Sequence, residues 1–171
     1  MQLNRKYFYF CNKFIVIMYK DKMDILNTLS PWLGKTSKMM EALMYHQFKK
    51  DNLDISVKQW LLLKFLYIKD GQSQNQLAFL TDRDKGSLTR LINTVEKKNL
   101  IARIPSKEDK RVNLVYLTKK GLKVYETSKQ SLQIITDTLH TDISDKDISA
   151  VIGILKKVII NIENKLQIGK C

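Results

Sequence analysis

The chain has 171 residues, only two of them proline, with 44% hydrophobic residues, which suits one domain with helical extensions and enough length to bury a core. A formal charge of +13 at pH 7 favours a polyanionic partner or an anionic membrane surface. Cys11 and Cys171 stand near opposite ends, which excludes a disulfide framework or a Cys-based metal spacing and suits a reducing cytoplasm.

At the amino end, Tyr7 to Tyr19 is apolar and aromatic but is interrupted by Asn12 and Lys13, and it is too short to span a bilayer. Arg5 and Lys6 resemble the start of a signal peptide, yet Lys20, Asp21 and Lys22 follow where a small-residue cleavage site would be needed. Three readings stand: an extra helix packed on the body, a peripheral membrane contact, or translated sequence ahead of a start at Met18 or Met23. Export is not expected.

From Pro31 the pattern is helical. Proline in a first turn sacrifices no hydrogen bond, and Leu33, Met40, Leu43, Met44 and Phe48 give an apolar face running to about Lys50. Asp51-Asn52-Leu53-Asp54 ends that helix. Ser56 to Gln59 is a capping-box pattern ahead of an apolar helix carrying Trp60, Leu61, Leu63, Phe65, Leu66 and Ile68, stopped at Asp70-Gly71. Ser73 to Gln76 repeats the box and opens a short helix with Leu77, Ala78 and Leu80. Thr81-Asp82-Arg83 turns the chain, and Asp84 caps the next helix. Two short helices joined by so tight a turn have helix-turn-helix spacing.

In the helix after Asp84, Leu88, Leu91, Ile92 and Val95 fall on one face, which must meet the core. Gly86, Thr89, Arg90, Asn93 and Lys97 then face outward, with Lys85 and Ser87 on the flanks. Two β-inclined runs follow, Ile101 to Ile104 and Val112 to Leu117, joined by a loop from Pro105 to Lys110 without a large apolar side chain. Asp109 and Arg111 are close enough to pair there, which would hold the guanidinium in a fixed direction. Between Asp82 and Lys120 there are eleven Lys or Arg against five Asp or Glu, so nearly half the net charge lies in under a quarter of the chain. A capped helix followed by a basic hairpin is the layout that puts a helix in a major groove and a wing on the neighbouring backbone or minor groove. The pattern implies binding to double-stranded DNA.

The last third is amphipathic. Leu122, Tyr125, Leu132, Ile135 and Leu139 share one helix face. After Ser144, Ile148, Val151, Ile152, Leu155, Val158, Ile159 and Ile162 follow near-heptad spacing. A second copy of the chain would bury this stripe, and a two-fold dimer would match two half-sites about one helical turn apart; an intramolecular bundle is the other way to bury it.

Four blocks carry a family resemblance: Asp84-Lys85-Gly86-Ser87-Leu88-Thr89-Arg90-Leu91, Glu96-Lys97-Lys98-Asn99-Leu100-Ile101, Asp109-Lys110-Arg111 and Leu117-Thr118-Lys119-Lys120-Gly121. In order and spacing they resemble the MarR family of bacterial transcription regulators, over roughly Pro31 to Leu166. The resemblance implies a mainly α fold with a small β-hairpin wing, a winged helix-turn-helix with N- and C-terminal dimerisation helices. It implies a homodimer on a pseudo-palindromic operator, usually a cytoplasmic repressor and often released by a small aromatic effector or an oxidant. By position, DNA contacts fall on Lys85, Ser87, Thr89 and Arg90, and on a wing-tip Arg111 oriented by Asp109; Asn93 lies on the same outward face. The expected division is an N-terminal extension (1–29), a dimerisation helix (30–55), the DNA-binding domain (56–121) and C-terminal dimerisation helices (122–171).

Two departures stand out. Asn99 occupies a position where the family usually has glycine, a mild change because asparagine tolerates the left-handed conformation a helix end needs. Cys11 lies too far upstream to match the reactive cysteine of the family's hydroperoxide sensors. An effector pocket between the first two helices and the Leu122 helix would be lined by Met40, Tyr45, His46 and Trp60, which serve equally well as core residues. No nucleophile–base pair, metal cluster or phosphate-cradling loop has usable spacing, so neither an enzyme nor a metal or cofactor is expected. A winged-helix protein-interaction module without DNA specificity is the alternative, and salt dependence separates the two.

Overall fold

The computed structural model describes residues 27–166; the readings of Tyr7 to Tyr19, of the start at Met18 or Met23 and of Cys11 lie outside the described residues. The elements follow in the order α1 (Leu29–Lys50), α2 (Val57–Ile68), β1 (Gln72–Ser73), α3 (Gln74–Leu80), α4 (Lys85–Lys97), β2 (Ile101–Pro105), β3 (Asn113–Leu117), α5 (Lys119–His140) and α6 (Asp145–Leu166). This is a mainly helical winged helix-turn-helix, as the sequence implied. The chain divides into two compact units, one closing at Ser131 and the other opening at Leu132, within α5.

The first unit is built on capped helices. Ser56 accepts from the Gln59 N–H while the Gln59 side chain accepts from the Ser56 N–H, and Ser73 and Gln76 repeat the exchange at α3. Each box satisfies two N–H groups that a helix start leaves free. Helices α1, α3 and α4 all stop on one device. Asn52, Asp82 and Asn99 have φ of 55°, 48° and 57°, and the next residue's N–H returns to Phe48, Ala78 or Val95. This is the Schellman arrangement with Asn or Asp where glycine is usual.

The core gathers Phe48 of α1, Leu62, Leu63 and Leu66 of α2, Leu77 of α3, Leu88, Ile92 and Val95 of α4, and Ile101 and Val115 of the sheet. The sequence placed α1's apolar face along its whole length. Only its end behaves so: Phe48 is buried and Leu43 and Met44 half-buried, while Leu33 and Met40 stay exposed. Ile68, expected on the apolar face of α2, is also exposed.

The sheet is antiparallel with order β1-β3-β2, and Arg103 stands opposite Val115. The two-residue β1 was not foreseen. It forms because Gly71, at φ 69°, turns the chain so that its N–H reaches the Val115 carbonyl at 3.1 Å. Buried Gln72 then donates to the Phe65 and Lys69 carbonyls at 3.1 and 2.8 Å, closing the end of α2. Gly121 is required for another reason: a Cβ there would lie 1.9 Å from the Leu100 carbonyl oxygen, so α5 starts hard against the end of α4.

Within this unit α5 presents a stripe the sequence misjudged. Leu122, expected inside, is exposed, whereas Ser128 and Ser131 are buried. Trp60 Nε1 donates to Ser128 Oγ at 2.9 Å, and that hydroxyl donates to the Tyr125 carbonyl at 2.6 Å. The Ser131 hydroxyl donates to Asp51 Oδ2, which also accepts from Gln47. These bonds, the Ser131 hydroxyl's first, hold the Asp51 carboxyl below the ordinary aspartate range.

The second unit holds the rest of α5 and α6. Ser144 caps α6, accepting from the Asp147 N–H at 3.2 Å. Acidic Asp145 and Asp147 in the first turn and Lys165 in the last match the helix dipole. No residue of α6 is buried; Val151, Ile152, Ile154, Ile159, Ile160 and Ile162 are exposed.

Candidate nucleic-acid interface

Helix α4 begins at Asp84, whose Oδ1 accepts from the Ser87 N–H at 2.7 Å. Its inner face buries Leu88, Ile92 and Val95 and half-buries Leu91, so the wheel drawn from sequence fits. Lys85, Gly86, Arg90, Asn93 and Lys97 are exposed, and Ser87 and Thr89 are half-buried. A Cβ at Gly86 would meet the capping Asp84 Oδ1 at 3.3 Å, a tight contact, and Arg90 Nη1 at 3.8 Å, with no backbone in the way. Thr89 Oγ1 donates to the Lys85 carbonyl at 2.7 Å and lies 3.5 Å from Gln74 Oε1 of α3. Arg83, a turn residue by its sequence, donates through Nη1 to Ser87 Oγ at 3.0 Å. Its place four residues before Ser87 was the signal available for that contact.

The wing between β2 and β3 folds on its own hydrogen bonds. Ser106 N–H reaches the Val112 carbonyl at 2.8 Å, Val112 N–H reaches the Asp109 carbonyl at 2.9 Å, and Ser106 Oγ accepts from the Glu108 N–H at 3.2 Å. Asp109 Oδ1 accepts from both the backbone N–H and Nε of Arg111, at 3.0 and 3.2 Å. The Arg111 side chain is nonetheless 91% exposed. Its direction is therefore fixed while its remaining N–H groups face solvent, a disposition suited to a narrow, negative groove.

Arg103 ties the wing to the end of α4. Its backbone N–H and guanidinium both bond to Glu96. The guanidinium hydrogen bonds hold the Glu96 carboxyl below the ordinary glutamate value, against the opposing cost of burial.

The four residues expected around an effector fall in different settings. Trp60 belongs to the core, bonded to Ser128 and stacked on Tyr125 at 6.4 Å. Met40, Tyr45 and His46 are exposed on α1. Tyr45 borders an open cleft of about 530 Å³ with Lys49, Ile55, Gln59 and Lys98. In that cleft Lys98 Nζ donates to the Asp54 carbonyl at 2.6 Å and to Gln59 at 3.3 Å. Among the described residues no cluster of His, Cys, Asp or Glu could hold a metal ion, and no helix is long and apolar enough to cross a membrane.

The MarR family model matches residues 55–112, the span from the end of the α1–α2 loop through the wing. Over 145 residues the chain is 24% identical to the HTH-type transcriptional regulator YybA of Bacillus subtilis, covering 85% of this chain and 95% of that protein. It is 30% identical over 110 residues to the HTH-type transcriptional regulator YdgJ of the same organism, covering 64% and 67%. The S. aureus MepR–DNA complex is similar at 25% identity with a TM-score of 0.72, covering 78% of this chain and 98% of that one. A mutant E. coli MarR complexed with operator DNA reaches a TM-score of 0.74 at 23% identity over 81% and 98% of the two chains, a likeness of fold. With the wing, the helix pair and these relatives in agreement, the chain belongs to the MarR family.

Proposed function

We propose that the protein is a homodimeric transcription regulator that inserts α4 of each copy into the major groove of a pseudo-palindromic operator, with each Arg111 reaching the adjacent minor groove. The observation that carries this reading is the presence, in one unit, of an exposed, positively charged α4 face and of a wing arginine held by Asp109. Lys85, Ser87, Thr89, Arg90 and Asn93 would meet base edges or phosphates, arginine donating two parallel bonds to guanine and the hydroxyls serving either role. Repression follows if the operator overlaps a promoter. A small effector that loosens DNA would sit in the Tyr45–Gln59 cleft, where Lys98 links it to the end of α4.

Exposed apolar side chains support the dimer. Met39 on α1 and, separately, Val151, Ile152, Ile159 and Ile162 on α6 are exposed in a single copy, and exposed apolar surface of that kind marks association sites. The neighbours solved with DNA agree with the reading.

Footprinting the purified protein across its own upstream region tests the proposal. A protected, two-fold symmetric site whose affinity falls steeply with salt, as counterion release requires, is the expected result. Absence of protection on any promoter fragment would leave the winged helix as a protein-interaction module instead.

A further inference from the structure

Two hydroxyls on α4 are wired in opposite senses. Thr89 gives its proton to the Lys85 carbonyl, and Thr94 likewise to Arg90, the usual return to the residue four positions back. Ser87 stands in the first turn, and the residue four positions before it, Arg83, precedes the N-cap Asp84. There the Ser87 hydroxyl accepts from Arg83 Nη1 at 3.0 Å. Arginine has only donors, so this bond cannot reverse. None of the ion pairs among the described residues engages Arg83, so its guanidinium is directed at the Ser87 hydroxyl while the Asp84 carboxylate takes the Ser87 backbone N–H. A hydroxyl that accepts from a cation becomes a stronger donor and a weaker acceptor.

We infer that Arg83 is a positioning residue that sets Ser87 as a hydrogen-bond donor to a purine N7, while Thr89, its proton already committed, offers only an acceptor to a base amino group. The inference rests on α4 being the groove-facing helix. In the major groove guanine O6 and thymine O4 accept on one base each, N7 is the acceptor common to both purines, and adenine N6 and cytosine N4 are donors. The order of the two hydroxyls along α4 thus dictates an acceptor edge followed by an amino edge. Arg83 contributes specificity without touching a base.

Duplexes selected from a random-sequence pool by the wild-type full chain supply the probe. Each purine of the selected half-site is then replaced in turn by its 7-deaza analogue, which removes N7 and leaves base pairing intact. At one position this should lower wild-type affinity roughly threefold to tenfold, the worth of one hydrogen bond. Ser87→Ala and Arg83→Met should both erase that step and leave sensitivity elsewhere unchanged, while Arg83→Lys, still a cationic donor, should restore it. Thermal melting confirms folding of each variant. Arg83→Gln, a donor without charge, should reduce the step and serves if the methionine variant does not fold. A uniform loss on all probes in the folded Arg83 variants, with the N7 step intact, would make Arg83 a phosphate contact and overturn the inference. So would the lack of any N7 position that Ser87→Ala silences. Failure of the wild type to select any duplex would instead refute DNA binding itself, and this inference with it.

Discussion

At Arg111 and Gly86 the needs of the fold and of the interface separate cleanly. Among the described residues the Arg111 side chain bonds to Asp109 of its own turn, and an exposed pair of this kind adds little stability. Arg111→Ala should therefore leave the melting temperature unchanged and weaken operator binding by about 1.5–3 kcal/mol, the range of a charge-assisted hydrogen bond, as read by fluorescence anisotropy. Gly86 offers the converse test. A Cβ there meets no backbone but presses on the Asp84 cap carboxylate at 3.3 Å, which offsets part of the roughly 0.5–1 kcal/mol by which alanine in a helix is better than glycine. Gly86→Ala should change stability little while lowering DNA affinity; unaltered affinity would mean that this face does not approach the duplex closely. The Asp109–Arg111 pair was legible because two residues across a tight turn have few other partners. Arg83 was not, since a basic residue before an N-cap reads as a solvated turn until its rotamer is known.

Helix ends and helix contacts show what local sequence encodes. Both capping boxes and the left-handed Asn99 follow from short-range chemistry, and the structure has them where the spacing put them. The buried face of α5 does not follow, because Ser128 and Ser131 are inside only through partners on distant segments, Trp60 and Asp51. Ser128→Ala would strand the indole N–H of Trp60, and a buried unsatisfied donor costs about 1–3 kcal/mol; chemical denaturation should show a loss of that size with Trp60 fluorescence altered. The Glu96–Arg103 link predicts a pH dependence. The Glu96 carboxyl is held below its ordinary value of 4.5 in the folded chain. Its contribution is therefore complete above that pH and is lost as pH falls through the lowered folded value. Replacement by glutamine should flatten the acid limb of a stability–pH curve, with the largest difference from wild type at neutral pH.

On the scale of the whole molecule, the apolar surface left open by one copy is the dominant fact. Helix α6 buries none of its residues, although its heptad-like spacing is that of a helix made to be covered. Ile152→Asp combined with Ile159→Asp, seven residues apart on one stripe, should produce monomers in sedimentation experiments. The doubly substituted protein should also lose affinity for a two-half-site operator far more than for a single half-site. Persistence of a dimer would move the interface elsewhere. The charge balance of +13 belongs to this scale too, since it favours long-range attraction to a polyanion, whereas the salt sensitivity of binding follows the number of phosphates the contacts neutralise.

Sequence alone determined the helices and their caps, the helix pair, the basic hairpin and the outward face of α4, because each depends on spacing within a few residues or on one helical period. Tertiary structure decided the rest: the β1 strand, too short to carry an alternating pattern; the exposure of Leu33, Met40 and Leu122; the inward serines of α5; and the grip of Arg83 on Ser87. Those outcomes depend on which distant groups arrive opposite a side chain, and burial and hydrogen bonding between remote segments are settled only when the chain closes on itself.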